Sequence, residues 1–154
     1  MRGGYLHTHH FLKLLPTGAP GTVINLTSGL GYQVNPGFSA HSISKLAVWH
    51  LTSFIAAENP NVLAVGLHPG VVPTDMLVPS FARFAGDTTE LVGGVSVWLA
   101  AQGAQSKANW LSGRFINSNW DVEELLGRKE EIEAKGLLKI SLAGTLGKEQ
   151  FDSA

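Results

Sequence analysis

The chain has 154 residues, of which 44% are hydrophobic and 15% charged, and its net charge is −1. This composition is typical of a folded protein, here a single domain over residues 1–154, and the near-zero charge argues against a surface for nucleic acid or anionic membranes. It contains no cysteine, which excludes disulfides and thiolate metal sites, and no apolar run approaches the roughly 20 residues that span a bilayer, so we expect a cytoplasmic protein.

The first half of the chain predicts two helices and two strands. Residues 5–15 read as a helix that Pro16 ends, and residues 22–27 form a β-branched run between turn signals, which predicts a strand. A loop follows, and residues 39–59 predict a long helix. Residues 62–67 are continuously apolar, as in strands buried on both faces of a parallel sheet.

The long helix, from Ser39 to Asn59, is apolar nearly all round. A helix with one exposed face has a single apolar stripe, so this pattern predicts cover on two sides, by a sheet beneath and a partner helix above.

The second half predicts a loop over residues 69–86 and then two more helices around one strand. Asp87 followed by Glu90 indicates a capping box for a helix running to about residue 102. Residues 113–117 predict a third strand, and residues 121–135 a charged closing helix.

The alternation of helices and strands predicts an α/β fold with a parallel sheet covered by helices. Three strands are few for such a sheet, which averages about five or six. The pattern therefore predicts a partial Rossmann-like domain, part of a doubly wound parallel sheet whose N-terminal half is missing.

Three side chains form the main chemical motif. Ser28 follows the first predicted strand directly, where open α/β sheets bind ligands. His41 comes 13 positions later and Lys45 four positions after that, so the last two share a helix face.

Three segments carry a family resemblance: residues 23–28 (Val-Ile-Asn-Leu-Thr-Ser), residues 39–47 (Ser-Ala-His-Ser-Ile-Ser-Lys-Leu-Ala) and residues 68–76 (His-Pro-Gly-Val-Val-Pro-Thr-Asp-Met). In order and spacing they resemble the strand, the catalytic helix and the Pro-Gly loop of the short-chain dehydrogenase/reductase family. Nearly the whole chain takes part in the resemblance.

The resemblance implies an oxidoreductase that uses NADP or NAD to reduce a small carbonyl compound or to oxidise an alcohol. Ser28 would hold the substrate oxygen, and Lys45 would bind the nicotinamide ribose. Val72 and Thr74 would contact the nicotinamide carboxamide, and Arg2 would be a peripheral cofactor contact.

The two ends of the chain extend the resemblance. Residues 2–6 resemble the segment that follows the family's catalytic-helix asparagine, so the glycine-rich dinucleotide turn would lie upstream of the chain. Residues 110–115 and 119–125 resemble a branch of the family that works in fungal metabolite biosynthesis.

His41 stands where the family has its catalytic tyrosine. An unperturbed histidine titrates near 6.5 and can shuttle a proton near neutral pH. A nearby Lys45 ammonium would favour neutral imidazole, which serves as a base for alcohol oxidation and donates poorly to a ketone. Together with the absent glycine-rich turn, this substitution predicts impaired activity for the chain alone.

Two other functions stay open. The chain could be a non-catalytic relic or an interaction subunit, and the Ser39–Asn59 helix is the element through which the family forms homodimers. Ser42 with Lys45 also matches the Ser-x-x-Lys pattern of serine hydrolases, though their other motifs are absent.

Two further patterns are better explained by structure than by function. Gly29-Leu30-Gly31 imitates a dinucleotide fingerprint, but Val34 replaces its third glycine, so we interpret it as a loop. His7 and His10 share a helix face without a nearby carboxylate, so we predict an exposed helix face and no metal.

Overall fold

The computed structural model describes residues 2–103, 106 and 108–142. Its helices and strands follow in the order α1 (Arg2–Leu14), β1 (Gly21–Leu26), α2 (Ser39–Glu58), β2 (Val62–His68), α3 (Thr89–Gln102), β3 (Phe115–Asn117), α4 (Val122–Gly127) and α5 (Lys129–Ala134). Short 3-10 turns lie at Gly29–Gly31, Pro79–Phe84 and Asn109–Leu111.

The three strands form one parallel sheet in the order β1-β2-β3. The register pairs Gly21 with Val62 at one end of β1 and Leu26 with Leu67 at the other, and β3 joins only the last part of β2, from Gly66 to His68. The predicted α/β fold with a parallel, helix-covered sheet is confirmed.

The two faces of the sheet are covered differently. On one face α3, α4 and α5 enclose a core of side chains that are nearly all inaccessible to solvent: Leu63, Val65, Leu67, Val95, Leu99, Leu111, Ile116, Leu125 and Ile132. On the other face α1 and α2 cover a smaller core of Ile55, Val62 and Ala64, with Leu12 and Leu15 packed against it. Successive residues of β2 alternate between the two cores, as the period of a strand requires.

The structure covers α2 on one side, whereas the sequence predicts cover on two sides. Trp49, Thr52 and Ile55 are buried against the sheet. On the outer side Ile43 is 66% exposed and Phe54 51% exposed. The partner helix expected above α2 is absent from the described part of the chain, because α1 packs only beside its sheet-facing residues.

Several boundaries differ from prediction: α1 begins at Arg2 and not at residue 5, and β3 begins at Phe115 and not at residue 113. The predicted capping box at Asp87 is wrong, because Thr88 caps α3 by accepting a hydrogen bond from the Leu91 amide at 3.2 Å. The predicted single helix over residues 121–135 is two helices that meet at Arg128. Gly127, a weak helix former, stands at that break.

Among the helices of the described residues, none combines the length and apolar character needed to cross a membrane.

Candidate active site at the carboxyl ends of β1 and β2

Ser28 lies just beyond β1 and organises the turn that follows it. Its backbone is extended (φ −158°), and its Oγ accepts a hydrogen bond from the Leu30 amide at 3.2 Å. The turn then presses against α2: a Cβ added at Gly31 would lie 3.3 Å from the Leu46 nitrogen. Glycine at this position therefore lets the Ser28 turn approach the helix that carries Lys45.

Two hydrogen bonds connect Lys45 to the residues at the end of β1. Its Nζ donates to the Leu26 carbonyl at 3.0 Å, and its own carbonyl accepts from the buried Thr27 hydroxyl at 3.0 Å. The Thr27 amide pairs with Leu67 of β2. Because backbone groups of successive strand residues point to opposite edges, the Leu26 carbonyl faces the edge of β1 that carries no strand in the described chain.

His41 lies in the first turn of α2, on the same side as Lys45. Its pKa is lowered from the ordinary 6.5, first by partial burial and then by the Lys45 ammonium. Burial also lowers the pKa of Lys45 itself from its ordinary 10.5. The imidazole of His41 is therefore neutral at neutral pH.

A second imidazole, that of His68, lies at the end of β2. A Cβ added at Gly29 would lie 3.4 Å from its Nε2, so the ring fills the space beside the Ser28 turn. Its Nδ1 is buried and has no hydrogen-bond partner among the described residues. Its pKa is lowered by burial, raised in part by Asp87 and lowered further by Lys45.

Phe115, at the start of β3, contacts four other rings at this end of the sheet. Its ring centroid lies between 5.1 and 6.2 Å from each of them: Tyr32, Trp49, His68 and Trp120. Two of the pairs, with Tyr32 and Trp120, are edge-to-face, a geometry that adds about 0.5–1.5 kcal/mol per pair to the burial of the rings. The cluster packs against the imidazole of His68.

The loop after His68 has a backbone form that only glycine adopts freely. Gly70 has φ +79°, and a Cβ there would collide with the Asp87 carboxylate. That carboxylate accepts a hydrogen bond from the Val71 amide, and the Asp87 amide donates to the Val71 carbonyl at 3.3 Å. Val72 is half-buried and Thr74 is exposed on the continuation of this loop.

The structure brings most of the predicted site residues to one end of the sheet. Ser28 lies just beyond β1, the Lys45 ammonium lies close enough to His41 to lower its pKa, and Val72 and Thr74 follow the neighbouring strand. Arg2 is exposed at the start of α1, and none of the hydrogen bonds or ion pairs recorded between described residues joins it to the others.

The predicted Ser42–Lys45 pair is not formed. The Ser42 hydroxyl is buried without a hydrogen-bond partner among the described residues, and the Lys45 ammonium donates to the Leu26 carbonyl. A serine nucleophile needs a base within hydrogen-bond reach, so the geometry gives the hydrolase alternative no support.

Sequence reasoning missed two residues of the site. His68 is the residue directly before Pro69-Gly70, and its position at the end of a buried strand could have marked it. Asp87 was assigned to a helix cap, and its contact with Val71, 16 residues away, leaves no local signal.

A comparison with family models finds that the short chain dehydrogenase model matches residues 1–83. The chain belongs to the short chain dehydrogenase family. The short chain dehydrogenase mpl6 of Monascus purpureus is 39% identical over 147 residues, covering 92% of this chain and 49% of mpl6, and citE of Monascus ruber gives the same values. The short chain dehydrogenase tazN of Aspergillus terreus is 33% identical, over 86% of this chain and 30% of tazN.

Solved structures agree with this assignment. The KRED1-Pglu enzyme is 26% identical with a TM-score of 0.53, over 62% of this chain and 47% of that one. A gluconate 5-dehydrogenase from Burkholderia cenocepacia, in complex with NADP and tartrate, shares the fold at 21% identity and a TM-score of 0.55, over 66% of this chain and 44% of that one. The chain spans about half the length of the Monascus relatives it matches.

Proposed function

We propose that the chain is the catalytic half of a short chain dehydrogenase that moves a hydride between NADP or NAD and a small carbonyl or alcohol substrate in fungal-type metabolite biosynthesis. Family membership supports the reaction class, and the fungal relatives named short chain dehydrogenases support the setting. In this proposal Ser28 holds the substrate oxygen, Lys45 binds the ribose, and His41 takes the position of proton transfer.

The observation that carries the proposal is the position of the Lys45 ammonium. It bonds to the end of β1, two residues before Ser28, and it lies close enough to His41 and His68 to lower both of their pKa values. The ammonium therefore lies at the carboxyl ends of parallel strands, where open α/β sheets bind ligands.

The residues present fit the nicotinamide end of a dinucleotide. The Lys45 ammonium suits ribose hydroxyls, and the loop that follows β2 at the same end of the sheet carries the half-buried Val72 and the exposed Thr74. Arg2, exposed at the start of α1, is the proposed peripheral contact. The sequence contains no glycine-rich turn for the pyrophosphate, so we expect the affinity of this chain for the whole dinucleotide to be low.

The lowered pKa of His41 favours a role as a base, which suits the oxidation of an alcohol. A neutral imidazole accepts a proton, so His41 would take the hydroxyl proton of the alcohol, and a bound oxidised nicotinamide would supply the hydride acceptor. Carbonyl reduction needs a protonated imidazole, which burial and Lys45 disfavour. Activity as a base is lost as the pH falls through the lowered pKa of His41.

Titration of the purified chain with NADPH and with NADH, followed by tryptophan fluorescence, tests the proposal. We expect saturable quenching by at least one of them, weakened about tenfold or more in Lys45→Met, as for the loss of one hydrogen bond to a charged group. Lys13→Met, at an exposed position of α1, is the control. A wild-type chain that shows no saturable change would contradict cofactor binding.

Replacement of the imidazole tests the proton-transfer position. His41→Tyr restores the family's residue, and we expect carbonyl reduction to increase if only the proton donor limits the reaction. An unchanged rate with normal cofactor binding would assign the limitation to another part of the chain.

A second candidate is a subunit that binds without catalysis, and the outer face of α2 favours it. Its exposed apolar side chains follow helical spacing and form one stripe: Ile43, Leu46, Phe54 and Ala57. Stripes of this kind mark interfaces, and we propose a homodimer through α2. Sedimentation should show a dimer that Ile43→Glu with Phe54→Glu dissociates, and a wild-type monomer at all concentrations would exclude it.

A further inference from the structure

The carboxylate of Asp87 occupies the space that a side chain at position 70 would need. A Cβ built on Gly70 would fall inside the Asp87 carboxyl group, and the positive φ of Gly70 turns the chain around it. The contact joins the loop after β2 to the segment just before α3, and it replaces the capping role that the sequence predicts for Asp87.

The contact with the loop has two hydrogen bonds of opposite direction. The Val71 amide donates to the Asp87 carboxylate, and the Asp87 amide donates to the Val71 carbonyl. A carboxylate that accepts from a backbone amide makes a charge-assisted bond, roughly twice as strong as a neutral one. Thr88 caps α3 independently, so Asp87 is not needed for the helix end.

The same carboxylate acts on the imidazole at the start of the loop. Its charge raises the pKa of His68 against the larger lowering by burial, and the Lys45 ammonium lowers it from the other side. Asp87 therefore influences both the form of the loop and the charge balance of the cleft.

We propose that Asp87 is a positioning residue, whose carboxylate holds the Gly70–Val71 turn so that Val72 and Thr74 face the nicotinamide end of the cofactor. The inference rests on the proposed function for the ligand and on the two hydrogen bonds for the loop. Val72 follows the clamped amide directly, so release of Val71 frees both contact residues together.

Three variants of the full chain separate the roles of the carboxylate. Asp87→Ala removes the acceptor, and Asp87→Asn keeps an acceptor of the same size but removes the charge. Glu90→Gln removes one charge three residues away, where the carboxylate is exposed and bonds to the Thr89 hydroxyl. Hydrogen exchange of the Val71 amide, the NMR titration of His68 and the dissociation constants of NADH and NADPH are measured for each.

We expect the Val71 amide to exchange faster in Asp87→Ala and to keep most of its protection in Asp87→Asn. The His68 pKa should fall in both variants and stay unchanged in Glu90→Gln, an effect that a purely structural role of Asp87 would not produce in Asp87→Asn. The dissociation constants of NADH and NADPH should increase about tenfold in Asp87→Ala, the size expected for the loss of one hydrogen bond to a charged group.

Each failure has a separate signature. An unchanged Val71 amide in Asp87→Ala overturns the inference whatever the cofactor does. A changed Val71 amide with unchanged cofactor affinity overturns the positioning role. A wild-type chain that binds neither cofactor, with a Val71 amide that responds to Asp87, overturns the proposed function and leaves the loop clamp in place.

Discussion

The two faces of the sheet divide stability and chemistry between them. The face covered by α3, α4 and α5 holds a large apolar core, whereas the face covered by α1 and α2 has a smaller apolar core and polar contacts beside it. Asn25 bonds to Thr52, Thr27 to the Lys45 carbonyl, and Lys45 to Leu26. Those polar contacts lead to the proposed site, so the face with less apolar burial carries the functional groups.

β2 shows the same division within one strand. Leu67 is completely buried in the core of the first face, and the next residue, His68, points to the second face with a buried nitrogen that has no hydrogen-bond partner among the described residues. Two neighbouring residues therefore differ in their effect on stability. Burial of Leu67 stabilises the fold, whereas the buried Nδ1 of His68 makes no hydrogen bond to the described residues and adds no stability.

The largest effect is expected at the apolar face. Leu67→Ala should destabilise the chain by about 2–5 kcal/mol, because it leaves a cavity in a closed core. Chemical denaturation monitored by circular dichroism measures this. Val97→Ala on α3, where the side chain is 70% exposed, is the control and should change stability little. A loss below about 1 kcal/mol for Leu67→Ala would show that this core is not closed.

A smaller effect is expected at the polar contacts of the other face. Thr52 is fully buried, accepts a hydrogen bond from Asn25 and donates one to the Val48 carbonyl, each at 3.0 Å. Thr52→Val keeps the shape and leaves Asn25 without its acceptor, at a cost of about 1–3 kcal/mol. Thr52→Ser keeps the hydroxyl, so it should lose less, and equal losses would assign the effect to packing.

The pH dependence of stability should also come from the polar face. His41 and His68 have lower pKa values in the folded chain than the ordinary 6.5, so the unfolded chain binds more protons below that value. Stability should therefore be full above pH 6.5 and decrease as the pH falls through the folded values. His68→Gln should flatten this slope, and a slope unchanged by that substitution would contradict the role of His68.

The smallest effect is a shift in the titration of His41. Lys45→Met removes one of the two causes that lower its pKa and leaves burial, so the pKa should rise without reaching 6.5. Proton NMR of the imidazole Cε1–H follows this directly. A pKa of His41 that does not respond to Lys45→Met would place the ammonium away from the imidazole and weaken the proposed site.

Local sequence patterns were sufficient for most of the fold. The β-branched run of β1, the apolar run of β2 and the long apolar α2 follow from propensity and burial, and the strand-end position of Ser28 follows from them. The residues that needed the structure act over long distances. Asp87 does not cap α3 as predicted, because its carboxylate accepts a hydrogen bond from the Val71 amide. The two residues are 16 positions apart, so no local pattern indicates this contact.

The same reason explains the rest of the site. Phe115 contacts rings from α2, from β2 and from the turn after Ser28. The cluster of these rings therefore depends on how the strands are ordered in the sheet. The exposure of the outer face of α2 was not predicted either. An apolar pattern indicates which helix residues could be buried, but it does not show whether another element covers them.

The Leu26 carbonyl that accepts from the Lys45 ammonium lies on the edge of β1 that pairs with no strand in the described chain. Lys45, the proposed ribose-binding cation, therefore occupies an acceptor that strand pairing could also use. A further strand laid along β1 would offer its own amide to that carbonyl and displace the ammonium into the cleft. Pairing of that strand would then strengthen ribose binding by Lys45. Ribose binding would strengthen the strand pairing by the same free energy, because such linkage is reciprocal.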